Sequence, residues 1–279
     1  IQTGGPTKRN PHNAPAFTTH VYARYAGTRL ALQELEGQLL TDAPGALWTV
    51  EVIERSRLLP SPTSGEGRLG EAERGEGTLC IGEKAEPPTS PGQSTTFTRP
   101  LFTRLVIAVD PPSGDGTCGI VACAREGEGA HAQAHVLADH SVTALSPEGW
   151  SRAVADAAAM WSALHPELPK GVEIAAESNQ GGQMVRAVLH TADPNLKVKL
   201  VPAIAGKSDR AAPVALLFEA NRVTLHARFP DLEAQLLGLI AGGAYEGPGK
   251  SPDRADAMVW ALTELMLQQE QPDPRVRQL

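Results

Sequence analysis

The chain has 279 residues, enough for one large domain or for a domain with an appendage. Hydrophobic residues make up 41% and charged residues 20%, which fits a soluble globular protein, and an aromatic share of 4% leaves the core to Ala, Leu and Val. The formal charge of -7 excludes a broad basic footprint for nucleic acid, so any DNA contact has to come from a local patch.

In chain order, residues 1–58 carry few apolar runs, with one predicted helix around Phe17 to Leu40 and a second amphipathic stretch near Trp48 to Leu58. Residues 59–100 change character: Pro, Gly, Ser, Thr and Glu dominate, and the segment reads as a long flexible loop or linker, too polar and turn-rich to bury itself. From Arg104 the pattern becomes regular. Apolar runs at 104–110, 117–124 and 131–138, separated by turn residues, predict three consecutive antiparallel strands. A helix is predicted from Pro147 to Leu164, with Ser146 as N-cap and Trp150, Val154, Ala157, Ala158 and Trp161 on one face. Strand 171–177, helix 181–190, strand 197–202, helix 208–220, a short strand 222–225, helix 230–241 and a final helix 252–269 follow. Three meandering strands and then alternating strand and helix imply an α/β fold, a mixed sheet flanked by helices.

Cys80, Cys118 and Cys123 form no CxxC pair, which disfavours zinc and a disulfide framework and reads as reduced intracellular thiols. No signal peptide and no spanning run of roughly 18 apolar residues is evident. A first residue Ile1 in place of Met predicts a fragment or a processed chain. Ala205-Gly206-Lys207-Ser208 imitates the end of a phosphate-binding P-loop, but Val201 stands where that motif needs its first Gly. Neither a G-x-S-x-G elbow nor an H-E-x-x-H pair occurs, so a serine hydrolase and a zinc hydrolase are disfavoured along with an ATPase.

The chemistry-bearing residues are acids at element ends. Asp110 closes Leu105-Val106-Ile107-Ala108-Val109, where a lone Asp is ordinarily a turn former. Glu177 closes Val172 to Ala176; Glu is a poor turn residue, and a Gly pair follows at Gly181-Gly182. Asp253 and Asp256 share one face at the start of the last helix, with Ser251 as expected N-cap and Pro252 at the first helical position. The helix macrodipole accounts well for Asp253 and less well for Asp256, which leads into the apolar run Ala257-Met258-Val259-Trp260 and therefore needs a partner. Carboxylates at two strand ends and one helix start can converge and hold divalent cations. Lys207 and Arg210 open a predicted helix; a solvated helix terminus is the plain reading, and contact with a phosphate backbone is the functional one.

The order of strand-ending Asp, strand-ending Glu and D-x-x-D at the last helix resembles the ribonuclease-H-like nuclease superfamily, including its Holliday-junction resolvases. Val109-Asp110-Pro111-Pro112, Glu177 to Val185, Gly206-Lys207 with Arg210-Ala211 and Pro213-Val214, and Ser251 to Ala257 are similar to the large terminase subunit of tailed phages and gene transfer agents. Tyr25 to Leu30, Gln33-Glu34-Leu35 and Gly45 to Thr49 resemble the stretch after that family's packaging ATPase domain. The resemblance implies a division into an ATPase-domain tail with linker helices (1–58), an insertion or linker (59–100) and a ribonuclease-H-like nuclease domain (101–279). It also implies that Asp110, Glu177 and a last-helix acid hold two Mg²⁺ or Mn²⁺ ions, with Asp253 aligning better than Asp256 as the third acid. The implied activity is metal-dependent endonuclease cleavage of double-stranded concatemeric DNA during packaging in the host cytoplasm. Portal protein and small terminase subunit are the implied partners, and no membrane is involved. A resolvase-like or transposase-like nuclease, or a non-catalytic capsid-docking module, are the competing readings.

Overall fold

A computed structural model describes residues 43–58, 100–112, 114, 116–179 and 181–268. The predicted helix at Phe17 to Leu40, the 59–99 segment, Cys80 and Gln180 lie outside the described residues. Helix α1 (Val50–Arg55) is capped by Thr49, whose hydroxyl accepts from the Val52 amide. Strands β1 (Phe102–Asp110), β2 (Thr117–Glu126) and β3 (Gln133–Asp139) form an antiparallel meander. Then come the short β4 (Val142–Thr143), α2 (Pro147–Leu164), β5 (Val172–Glu177), α3 (Gln183–Ala192), β6 (Lys197–Val201), α4 (Lys207–Glu219), β7 (Val223–Leu225), α5 (Pro230–Leu237) and α6 (Asp253–Leu262).

The sheet runs β6-β5-β1-β2-β3-β7, with β4 attached to β2; β5 lies parallel to β1, β6 parallel to β5, and β7 parallel to β3. The protein is thus an α/β mixed sheet flanked by helices, as the alternation of runs predicts. The pleat sorts β1 into two cores. Leu105, Ile107 and Val109 face a cluster with Trp150 and Val154 of α2 and Leu189 of α3. Val106 and Ala108 face the other cluster, with Phe218 of α4, Leu232 and Leu236 of α5, and Ala257, Met258 and Ala261 of α6. Trp48 and Ile53, in and beside α1, are buried in that second cluster too, Trp48 edge-on to Phe218 at 5.7 Å.

Several boundaries depart from expectation. The predicted helix 230–241 ends at Leu237, because Gly238 closes it and Leu239 and Ile240 turn to bridge Tyr245 and Ala46. The predicted strand 131–138 starts at Gln133, after a 3₁₀ turn at Gly129–His131. The last helix leaves α geometry after Leu262 and continues as a π turn over Thr263–Leu267. Ser146 does cap α2, accepting from Gly149 N at 3.2 Å, whereas Ser251 does not cap α6. That end is capped from outside: Gln235 of α5 accepts from the amides of Arg254 (2.8 Å) and Ala255 (3.0 Å).

One glycine controls how closely α6 lies on the sheet. Gly119 is the β2 partner of Asp110, and a Cβ built on it would stand 2.0 Å from the Asp253 carbonyl oxygen and 3.1 Å from the Ala257 Cβ. Gly119→Ala should therefore lift the first turn of α6, at the cost of overpacking, about 1–3 kcal/mol or more. A drop of that size in urea-unfolding free energy is expected; an unchanged value would mean the contact is slack. A second prediction concerns acid. Trp161 Nε1 donates to His140 Nε2 at 3.0 Å, which requires the unprotonated nitrogen there. Burial lowers the His140 pKa from its ordinary value, outweighing the opposing charge of Asp139. The stability this supplies is fully present above about pH 6.5 and is lost as pH falls through the lowered value. His140→Gln, which keeps an acceptor but cannot titrate, should lose less stability between neutral and acid pH in paired denaturation curves.

Candidate metal centre

Asp110 is the last residue of β1, and Glu177 the last of the parallel neighbour β5, one step beyond the Val109–Ala176 pairing. Each follows the parity of the residues that face α6: 106, 108 and 110 on β1, and 175 and 177 on β5. Asp256 comes from the first turn of α6 on that same face. Ligand oxygens of Asp110, Glu177 and Asp256 lie within 4.8 Å of one another, and all three residues are buried. Asp253, one turn earlier, stands apart from this trio; its side chain is 20% exposed, and its carboxylate is 3.6 Å from Lys207 Nζ. The trio thus contains the acid that the resemblance ranks behind Asp253.

The two cations that the sequence suggested for a phosphate backbone point inward at the acids. Lys207, first residue of α4, places Nζ 3.1 Å from Asp110 Oδ2, 3.2 Å from Asp256 Oδ2 and 2.9 Å from Ser251 Oγ. Arg210 donates through one terminal nitrogen to both Asp256 oxygens, at 2.8 and 2.7 Å, and anchors itself on the Ala205 carbonyl at 2.6 Å. The same guanidinium nitrogen lies 3.7 Å from Glu177 Oε2, and the group stacks over the Trp260 ring at 4.7 Å. Trp260 in turn donates from Nε1 to Glu177 Oε2 at 3.0 Å. Trp260 is a site residue that sequence reasoning passed over as core. Its signal was present, because it lies four residues after Asp256 on one helix face. Gly119 and Gln235 had no such signal, since both matter through register and packing. At the rim, Arg254 bonds Asp139 at 2.7 Å and lies 3.5 Å from Asp231, tying α6 to β3 and α5.

Burial is the main reason the Asp110 pKa is raised to about 8; the charges of Asp256, Glu177 and Asp253 raise it further, and Lys207 opposes them. Burial alone would lower Lys207, but Asp110 and Asp256 outweigh it and hold the ammonium above the ordinary lysine range. Two basic side chains therefore leave the carboxylates short of positive charge. Three buried carboxylates with converging oxygens are hard donors suited to Mg²⁺ or Mn²⁺, so the residues present fit a divalent ion. A cleft of about 670 Å³ opens at Asp110 and Glu177, lined also by Asp253, Lys207, Thr143, Lys250 and Arg254, with Asp256 buried behind it.

A three-stranded antiparallel meander continued by parallel strands, with acids at the ends of adjacent strands and on the closing helix, defines the ribonuclease-H-like α/β class. Residues 107–265, more than half of the chain, match the terminase RNaseH-like domain, and the chain belongs to that family. Among solved structures it is similar to the large terminase nuclease of thermophilic phage G20c with bound magnesium, at 15% identity and a TM-score of 0.41, over 58% of this chain and 82% of that one. The manganese-soaked, inhibitor-bound terminase nuclease domain of human cytomegalovirus gives 16% identity and 0.41, over 57% and 81%. RuvC of Thermus thermophilus gives 22% identity and 0.31, over 57% of this chain and 92% of that one. No curated protein matches. No helix among the described residues is long and apolar enough to cross a membrane.

Arg210→Met should leave buried Asp256 with Lys207 but without its nearer cation, a loss of up to about 3–5 kcal/mol, the size of a broken buried pair. Trp260→Phe should cost far less stability but loosen divalent-ion affinity roughly 10–100-fold, because Glu177 loses its orienting donor. Paired urea denaturation and Mn²⁺ calorimetry would show this split; equal effects of the two variants on both readouts would contradict it.

Proposed function

We propose that this chain is the nuclease part of a large terminase, a divalent-metal-dependent endonuclease that cuts double-stranded concatemeric DNA during packaging into capsids. The observation that carries the reading is the buried convergence of Asp110, Glu177 and Asp256 at the carboxyl end of a sheet whose family is the terminase RNaseH-like domain. Asp110, Glu177 and Asp256 would hold Mg²⁺ or Mn²⁺, which when bound supplies Lewis-acid polarisation of the phosphodiester and an activated water. Asp253, which lines the cleft, would take part as a fourth acid.

The remaining residues hold this arrangement. Arg210 and Trp260 fix the Asp256 and Glu177 carboxylates, so that little reorganisation is needed when a phosphate arrives. Lys207 brings positive charge to the cleft floor, and exposed Lys250 extends it along the rim, giving an acidic protein a local patch for a DNA backbone. In the proposed division, residues 1–58 are the ATPase-domain tail, 59–100 a linker and 101–279 the nuclease. A portal protein and a small terminase subunit would be its partners in the host cytoplasm.

Plasmid nicking in Mg²⁺, Mn²⁺ and EDTA tests the reading. Cleavage should require the ion and fall roughly a hundredfold or more in Asp110→Asn and Glu177→Gln, with unchanged circular dichroism. Mn²⁺-dependent cleavage retained in both variants would sink the metal-centre assignment. A strong preference for four-way junctions over duplex plasmid would instead overturn the packaging substrate.

A further inference from the structure

We propose that Lys207 takes the place of a second metal ion, so that the free protein holds one divalent ion beside a lysine ammonium. The inference rests on the metal-centre reading above and departs from the two ions implied by resemblance. A second ion would have to share Asp110 with the first and draw its other ligands from the last-helix acids, since paired ions in such centres stand about 3.5–4 Å apart. That position is where the Lys207 ammonium lies: 3.1 Å from Asp110, 3.2 Å from Asp256, 3.6 Å from Asp253 and 2.9 Å from the Ser251 hydroxyl. These four oxygens come from three segments, the end of β1, the lead-in to α6 and α6 itself, so the surrounding shell is tertiary.

The ion pairs point the same way: Lys207 lies 3.1 Å from Asp110 and 3.2 Å from Asp256, and Arg210 lies 2.7 Å from Asp256. Glu177 is the acid for which Arg210 and Trp260, not Lys207, are the partners, which leaves the Glu177 side of the trio open to the ion. The ammonium keeps its place by position as well as by charge. Lys207 opens α4 directly after Gly206, at the same end of the sheet as Asp110 and Glu177, and its side chain is 35% exposed, in contact with the cleft. There it can meet a non-bridging oxygen of a bound phosphodiester, the service a second ion would otherwise perform.

Isothermal calorimetry of the full chain with Mn²⁺ tests this, comparing the unsubstituted protein with Lys207→Met and, should that variant fold poorly, Lys207→Gln. One ion per chain is expected for the parent and two for the variants, with the dependence of plasmid nicking on Mn²⁺ changing from hyperbolic to sigmoidal. Two ions in the parent, or one ion in parent and variants alike, would overturn the substitution of lysine for metal. Binding of no ion by any of them would overturn the metal-centre reading itself.

Discussion

The structure depends on holding like charges together in a buried place. Asp110, Glu177 and Asp256 are buried with their oxygens converging, an arrangement that repulsion and desolvation both oppose. What holds it is a frame of donors: Lys207 between Asp110 and Asp256, Arg210 across Asp256, and the Trp260 indole on Glu177. Each donor comes from α4 or α6, so the packing of those two helices on the sheet is also the electrostatic balance of the site. A shift of either helix would leave buried carboxylates unpaired.

The sheet makes this possible by two regularities. Parallel neighbours β1 and β5 end side by side, which brings two chain-distant acids to one edge. The pleat then turns both toward the α6 face, because residues an even number apart share a side. Helix α6 can approach because Gly119, paired with Asp110, has no side chain in its way. Gln235 completes the approach by capping the α6 amides from the neighbouring helix. The acid on the helix, its cap and the glycine beneath it thus form one packing unit.

Family membership and geometry answer different questions. The family match identifies the kind of domain, and the geometry ranks the individual acids within it. In this chain the ranking favours the acid one turn inside α6, because Asp256 faces the sheet while Asp253 stands at the mouth beside Lys207. Lys207 and Arg210, read from sequence as backbone-facing cations, are turned toward the carboxylates, since the α4 N-terminus lies at the same sheet edge.

Much was legible in the sequence because it was local. Apolar runs of length and parity suited to strands marked β1, β2 and β5, and the period of α2 and its Ser146 cap set that helix. The positions of Asp110 and Glu177 at run ends were visible for the same reason, and so was the burial of the helix that Asp256 enters. What the sequence could not carry depends on pairs distant along the chain. That α5 stops at Gly238 follows from bridges to Ala46 and Tyr245; that Ser251 serves Lys207 while Gln235 caps α6 follows from how α5 and α6 meet. The choice of Asp256 for the buried trio was likewise tertiary. Two acids three residues apart look alike on an isolated helix, and only the close contact of α6 with Gly119 turns one of them into the sheet and leaves the other at its edge.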